Sequence, residues 1–313
     1  MALQARTAWS EEGGTVRRDG GEAVRAGAAC IACGTAGTRD ERSEALLALA
    51  RAPVAVRVWR CPRCHLRWLD PFPVPGVEVY DEEYYTKPVG DGPAYTSQQD
   101  ELEPCYREVA EAFAAHGAGS VLDVGCGMGD CMLAMRRVGL EPVGIEMSRF
   151  AADAARSRGL EVHEGPAEVV GSRLLREGRT FEAIHCSHVL EHTGDARGFL
   201  ALLHRLLRPE GLLYLEVPNQ FRNVLEKIDL LRGKDPAFSV LSVHHHYFFS
   251  RQSLRMLLRD SGFTVRSMRT FRPCRRRTRK GRLKRWALQS VLFAADVAGG
   301  RGDVISVWAV RRG

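Results

Sequence analysis

The side chains best suited to chemistry in this chain fall into three groups. Cys30, Cys33, Cys61 and Cys64 stand as two C-x-x-C pairs. Each pair offers two thiolates to one tetrahedral ion, the donor set of a closed structural zinc site with no position left for a reacting water. His65 adjoins the second pair as a spare ligand. The second group is acidic: Asp123 stands two residues before Gly125, Gly127 and Gly129, and Glu146 follows about 20 residues past them. The third is imidazole: His188 and His192 flank Glu191, and His244, His245 and His246 precede Tyr247-Phe248-Phe249-Ser250. Histidine titrates near neutrality, so one of these can take a proton from a hydroxyl or an acidic carbon.

The hydrophobic pattern predicts the elements that hold these groups. Ser120 to Val124 reads as a buried strand, the glycines as a turn, and Cys131 to Val138 as a helix. Such a unit brings backbone N–H groups at a helix N-terminus close to a nucleotide-like ligand. The dinucleotide pattern G-x-G-x-x-G would put its third glycine at 130, where this chain has Asp130. Glu141 to Ile145 forms a second strand ending at Glu146, an acid placed either to accept ribose hydroxyls or to start the helix Arg149 to Arg158. Further strands are predicted over 159–164, 181–187, 212–217, from 262, and over 303–310. A helix from Asp195 to Leu207 stops at Arg208-Pro209-Glu210-Gly211, and Ser250 caps a helix from Arg251 to Ser261. Strands alternating with helices demand a parallel sheet with ligands at the strands' C-terminal ends, where Asp123, Glu146, Ser187, His188 and Glu216 converge. The expected class is α/β, a Rossmann-like doubly wound sheet with a small N-terminal zinc ribbon.

The 313 residues divide on this reading into a disordered leader (1–28), a zinc ribbon (29–75) and a linker or lid with a helix (76–116). A ligand-binding domain (117–313) follows, with a substrate cap (218–250) and a basic helical insertion (272–299). Within the linker, Tyr80 to Tyr85 either packs one unit onto the next or closes over the ligand. Net charge is +7, with much of the excess between Arg272 and Arg285. That run is a solvated face or a site for an anionic substrate; its arginines lack interleaved aromatics for base stacking. No run of about 18 apolar residues and no apolar signal core is present, so a cytoplasmic protein is expected, in which paired cysteines hold metal rather than form disulfides.

From Cys30 to Val310 the chain resembles a family of bacterial zinc-ribbon methyltransferases of sugar, polysaccharide and natural-product pathways. The resemblance is carried by the four cysteines, Leu69-Asp70-Pro71, Val121-Leu122-Asp123-Val124-Gly125-Cys126-Gly127 and Ser187-His188-Val189-Leu190-Glu191-His192. Leu215-Glu216-Val217-Pro218-Asn219 and His245 to Ser250 complete it. It implies the seven-stranded methyltransferase fold with S-adenosylmethionine against Asp123, Gly125, Cys126, Gly127, Glu146 and Met147. Gly165 to Glu168 would lie by the adenine, Ser187 and His188 near the methionine and reaction end, and structural Zn2+ on Cys30, Cys33, Cys61 and Cys64. In related sugar C-methyltransferases a Glu-His pair precedes the aromatic run. Here His245 falls on that catalytic base and His244 replaces the Glu, with His192 the second candidate. The expected acceptor is a small molecule, anionic or carrier-bound in one version, methylated on O, C or N. The alternatives are an RNA methyltransferase, suggested by the ribbon and Arg275 to Arg279 but lacking an Asn/Asp-Pro-Pro-aromatic motif, and a non-catalytic scaffold that binds the cofactor.

Overall fold

The structure is a computed structural model. It describes residues 29–49, 57–70, 72, 82–87, 96, 99–219, 245–271, 302 and 304–313. The expected leader, the cap from residue 220 to 244 and the basic insertion lie outside the described residues. Among the described residues no helix is long and apolar enough to cross a membrane.

The chain enters through a small unit: β1 (Thr38–Arg39), α1 (Glu41–Leu49), β2 (Arg57–Arg60) and β3 (Arg67–Asp70). Two helices follow, α2 (Glu82–Thr86) and α3 (Gln99–Ala115). Then strand and helix alternate as β4 (Ser120–Val124), α4 (Asp130–Arg137), β5 (Glu141–Glu146), α5 (Arg149–Ser157), β6 (Glu161–Glu164) and α6 (Ala167–Arg176). The rhythm continues with β7 (Phe181–Ser187), a 3-10 turn (Leu190–His192), α7 (Ala196–Leu206) and β8 (Leu207–Pro218). It closes with β9 (Tyr247–Phe248), α8 (Arg251–Asp260), β10 (Phe263–Phe271) and β11 (Val304–Arg311).

Val121, Leu122 and Val124 are all buried, as are Ala183, Ile184 and Cys186 on β7. Burial on both faces of a strand is what a parallel sheet covered by helices requires. The seven strands run in the order β10-β11-β8-β7-β4-β5-β6, with β8, β7, β4, β5 and β6 parallel and β11 antiparallel to both its neighbours. From β4 the chain winds outward through β5 and β6, then returns to place β7 on the other side. The strand order therefore reverses between β4 and β7, and a crevice opens there at the carboxyl ends. The seven-stranded doubly wound sheet expected from the sequence is the one observed.

The helix α7 stops at Leu206, as expected to within a residue, but Arg208 to Gly211 are taken into the following strand. β8 begins at Leu207, immediately after α7, and the four residues are absorbed as an irregularity between the pairs Phe181–Leu207 and Ala183–Leu212. Glu210 takes a left-handed φ of 62° to make this possible.

The small unit is joined to the sheet domain by more than its linker. β9, from far along the chain, pairs with β3 and completes a four-stranded sheet β1-β2-β3-β9. Ser250 caps α8 in a reciprocal capping box with Ser253, and its Oγ also donates to the Cys64 carbonyl at 2.6 Å. Arg197 on α7 donates to the Ile31 carbonyl at 2.7 Å. Cys30, Leu66 and Trp68 share one buried cluster with Tyr247, Phe249 and the sheet residues Ile184 and Leu215.

Candidate active site

The glycine turn is built by its backbone. Gly125, Gly127 and Gly129 have φ of 73°, 53° and 83°, a region that favours residues without a Cβ. A Cβ on Gly125 would meet Val189 Cγ2 at 2.5 Å, so the turn packs directly on the loop that follows β7. The Gly125 and Cys126 amides donate to the Ile145 carbonyl at 2.8 and 3.1 Å. The Gly127 amide donates to Glu146 Oε2 at 2.8 Å. The end of β5 is thereby clamped to the turn after β4.

Glu146 is buried, and its other oxygen accepts from the Ser148 amide at 2.8 Å and the Tyr85 hydroxyl at 3.4 Å. Burial pushes its carboxyl above the usual range, opposed by the Ser148, Gly127 and Tyr85 hydrogen bonds. The cap of α5 is Ser148, whose Oγ accepts from the Ala151 amide, so Glu146 does not serve as the cap. Tyr85 on α2 lies over this acid, against Phe150 and Tyr84. Of the linker tyrosines, Tyr85 reaches Glu146 and Tyr84 packs beside it, while Tyr80 lies outside the described residues. Tyr84 is pushed up to about 12, by burial first and then by Glu146 and Glu191, which places it within electrostatic reach of both ends of the site. Cys126 is buried beneath the turn and Met147 is half-buried beside Glu146.

Asp123 is 1% exposed; Oδ1 receives the His185 Nδ1 at 2.6 Å, while Oδ2 has no hydrogen-bond partner. His185 stacks on Tyr214 with centroids 5.5 Å apart. Burial opposes its charge, but Cys131 and Asp123 more than offset this and hold the imidazole well above its ordinary pKa. Sequence reasoning passed over His185. The available signal was a polar residue at a doubly buried strand position, which the β4–β7 register sets opposite Asp123.

At the end of β7, beyond half-buried Ser187, His188 adopts φ 56° and lies between two carboxylates. Nδ1 is 3.2 Å from Glu191 Oε1 and Nε2 is 3.4 Å from Glu216 Oε1. Desolvation works against its charge, yet the two glutamates raise it to about 10, which favours the charged form, although the side chain is 46% exposed and solvent screens part of the effect. Glu216 also accepts from the Tyr214 hydroxyl at 2.6 Å.

Beside this lies a second cluster. Ligand-type atoms of Glu191, His192 and His245 all lie within 4.8 Å of one another, and the rings of His192 and His245 meet edge to face at 4.6 Å. The sequence-predicted candidates His192 and His245 are therefore neighbours. His246 is structural: its ring stacks on Phe72 at 4.9 Å and its Nδ1 is 3.0 Å from the Thr193 carbonyl. His244 lies outside the described residues.

The four ribbon cysteines also converge. Sγ separations are 3.4 Å for Cys30–Cys64, 3.4 Å for Cys33–Cys61 and 3.8 Å for Cys33–Cys64. Metal–sulfur bonds of about 2.3 Å at tetrahedral angles give sulfurs about 3.8 Å apart, so the set fits a zinc ion with small adjustment. The hydrogen bond from Cys64 lowers Cys30 to about 5, and Cys64 is pushed up in return. His65 takes φ 62° and sets its Nδ1 3.3 Å from Arg60, outside this group.

Comparison with known proteins gives a consistent pattern. A family described as a methyltransferase domain matches residues 95–268, more than half of the chain. Among curated relatives, the ubiquinone biosynthesis O-methyltransferase of Alkalilimnicola ehrlichii is 28% identical over 177 residues, covering 54% of this chain and 71% of that one. The protein of the same name from Xanthomonas oryzae pv. oryzae is 31% identical over 122 residues, covering 38% of this chain and 51% of its own. Against the latter, then, the chain spans about half the relative's length. A solved S-adenosylmethionine-dependent methyltransferase from Archaeoglobus fulgidus has the same fold, with a TM-score of 0.50 at 15% identity, over 69% of this chain and 99% of that one.

Proposed function

This chain belongs to the class I S-adenosylmethionine-dependent methyltransferases, and from that premise we propose that it methylates a hydroxyl of a small-molecule acceptor, with the His192–His245 pair taking the proton. The observation that carries this reading is the cradle at the switch point. Glycines with positive φ, a buried Glu146 clamped to them, and an unpartnered Asp123 oxygen together suit a cofactor with ribose hydroxyls at one end and an ammonium at the other. When bound, the cofactor supplies an electrophilic methyl carbon on its sulfonium.

The protein's residues do the rest. Glu146 retains acceptor capacity for the ribose hydroxyls, and the open oxygen of Asp123 is free to receive the ammonium. Gly125, Cys126, Gly127 and Met147 line the cradle, and Ser187 and His188 bound its reactive end. Tyr85 on α2 covers Glu146 and excludes water there. His188, held between Glu191 and Glu216, is proposed to fix the loop, and the neighbouring His245 and His192 to take the proton. With cofactor and acceptor bound, the protein's task would be to orient the two and exclude water, from which most of the acceleration would come. The name shared by the curated relatives, ubiquinone biosynthesis O-methyltransferase, favours oxygen as the atom methylated. The ribbon cysteines are proposed to hold one structural Zn2+, since four sulfurs close the coordination sphere.

The test is formation of S-adenosylhomocysteine from S-adenosylmethionine across a panel of phenols, sugar nucleotides and bulk RNA. Turnover on a small molecule is expected, with kcat falling about 10²- to 10⁴-fold in His245→Ala or His192→Ala. Turnover on RNA alone, or cofactor binding with none on any acceptor, would overturn the proposal.

A further inference from the structure

We propose that Glu191 is the positioning residue of the proton-accepting pair, its buried carboxylate facing His192 and His245 and favouring the imidazolium formed when a proton leaves the acceptor. The inference deepens the reading above and rests on it.

Three observations converge on this carboxylate. Glu191 has no exposed surface, and its Oε2 has no hydrogen-bond partner among the described residues. A buried carboxylate short of partners is costly, and the cost falls when a positive donor forms near it; its Oε1, the oxygen toward His192, is shared with His188 Nδ1 at 3.2 Å. His192 Nε2 is 4.0 Å from Glu191 Oε1, and the ligand-type atoms of His192, His245 and Glu191 lie within 4.8 Å. An opposite charge at such a range favours the charged form of a titrating group. Lastly, the main chain ties the parts together: the His246 amide donates to the Glu191 carbonyl at 2.8 Å, joining the turn that bears Glu191 and His192 to the segment that bears His245.

The groups facing Glu191 are mixed in sign. His188, on the same loop, neutralises part of it, but Glu216 from β8 shares that single charge. Tyr84 from α2 and Cys186 from β7 both feel its negative charge, and each is pushed up, by burial first. Among the described residues, His192, His245 and His246 also lie against it. Two carboxylates divide one fixed cation, and the remainder faces the imidazole pair.

The experiment is a pH titration of the imidazole resonances by heteronuclear NMR on the full chain as purified with its metal. His192→Asn and His245→Asn provide assignments, and no acceptor is needed. In the wild type, at least one of the pair is expected to titrate above the usual histidine value of about 6.5, and Glu191→Gln is expected to lower it by about one unit or more. Glu191→Asp should restore part of the shift. A purely structural role would move the melting temperature and leave the imidazole titration unchanged. Both histidines titrating below about 6.5 in the wild type would overturn the proposal whether or not the variants fold. So would unchanged titration in Glu191→Gln. Selective broadening of these resonances by micromolar Mn2+ would instead make the cluster a cation site and overturn it as well. Calorimetric titration of the same wild-type sample with S-adenosylhomocysteine separates the two readings: failure to bind would sink the methyltransferase function without touching the NMR result.

Discussion

A histidine with left-handed backbone, held between two glutamates, has a definite consequence for stability. In the unfolded chain His188 titrates near its ordinary value of about 6.5; in the folded one it is raised to about 10. A cationic group with a raised folded pKa stabilises fully below the unfolded value, and that contribution is lost as pH rises through the folded one. The His188 side chain is 46% exposed, so solvent screening takes much of the gain. His188→Asn is therefore expected to lower the melting temperature by about 2–4 °C at pH 6, with the gap closing toward pH 10.5. Thermal denaturation across that range is the check, and a gap independent of pH would contradict the assignment. At this scale the sequence offered residue types and missed partnerships. Spacing singled out Asp123 and Glu146 as candidates, and the family resemblance singled out His245, with His192 second. The pairing of Asp123 with His185 arises only when β4 and β7 lie side by side, and that of Tyr85 with Glu146 only when α2 folds back over β5.

Among elements, β9 has the largest reach for its length. It is two residues long, yet it joins the ribbon sheet to the segment carrying His245 and His246, and the Leu69 amide reinforces it by donating to the His246 carbonyl at 3.0 Å. With zinc on the cysteines, chelation is expected to loosen β3 and release this segment. Hydrogen exchange at Tyr247 and Phe248 should accelerate at least tenfold on zinc removal; unchanged exchange would show the ribbon to be independent of the site. Ser250→Ala removes both the cap of α8 and the bond to the Cys64 carbonyl. A loss of about 1–2 kcal/mol in denaturant unfolding is expected, more than an exposed cap alone would cost. The long strands and amphipathic helices were readable because their period records which face is buried. A two-residue strand has no period, and its pairing with β3 spans nearly 180 residues of chain, so nothing local could reveal it.

For the molecule as a whole, the order β10-β11-β8-β7-β4-β5-β6 does the essential work. It places the reversal of strand order at the end of β4, where the glycine turn and Asp123 stand, with Glu146 one strand to one side and the β7 loop one strand to the other. The alternation of elements predicted the parallel part of this sheet, and the family resemblance implied its seven strands. The union of ribbon and sheet domain in one buried cluster was not predictable, because it depends on surfaces such as Trp68 against Tyr247 and Phe249 that meet only after both units form. The central claim is that the crevice beside Glu146 holds the cofactor, and isothermal titration with S-adenosylhomocysteine tests it most directly. Burial holds Glu146 above the usual carboxylate range, so its ionised, hydroxyl-accepting form is lost as pH falls through that raised value. The wild type should bind one S-adenosylhomocysteine per chain at pH 7.5 and more weakly as the pH falls, and Glu146→Ala should bind at least tenfold more weakly. Equal affinity in the two proteins would contradict the account.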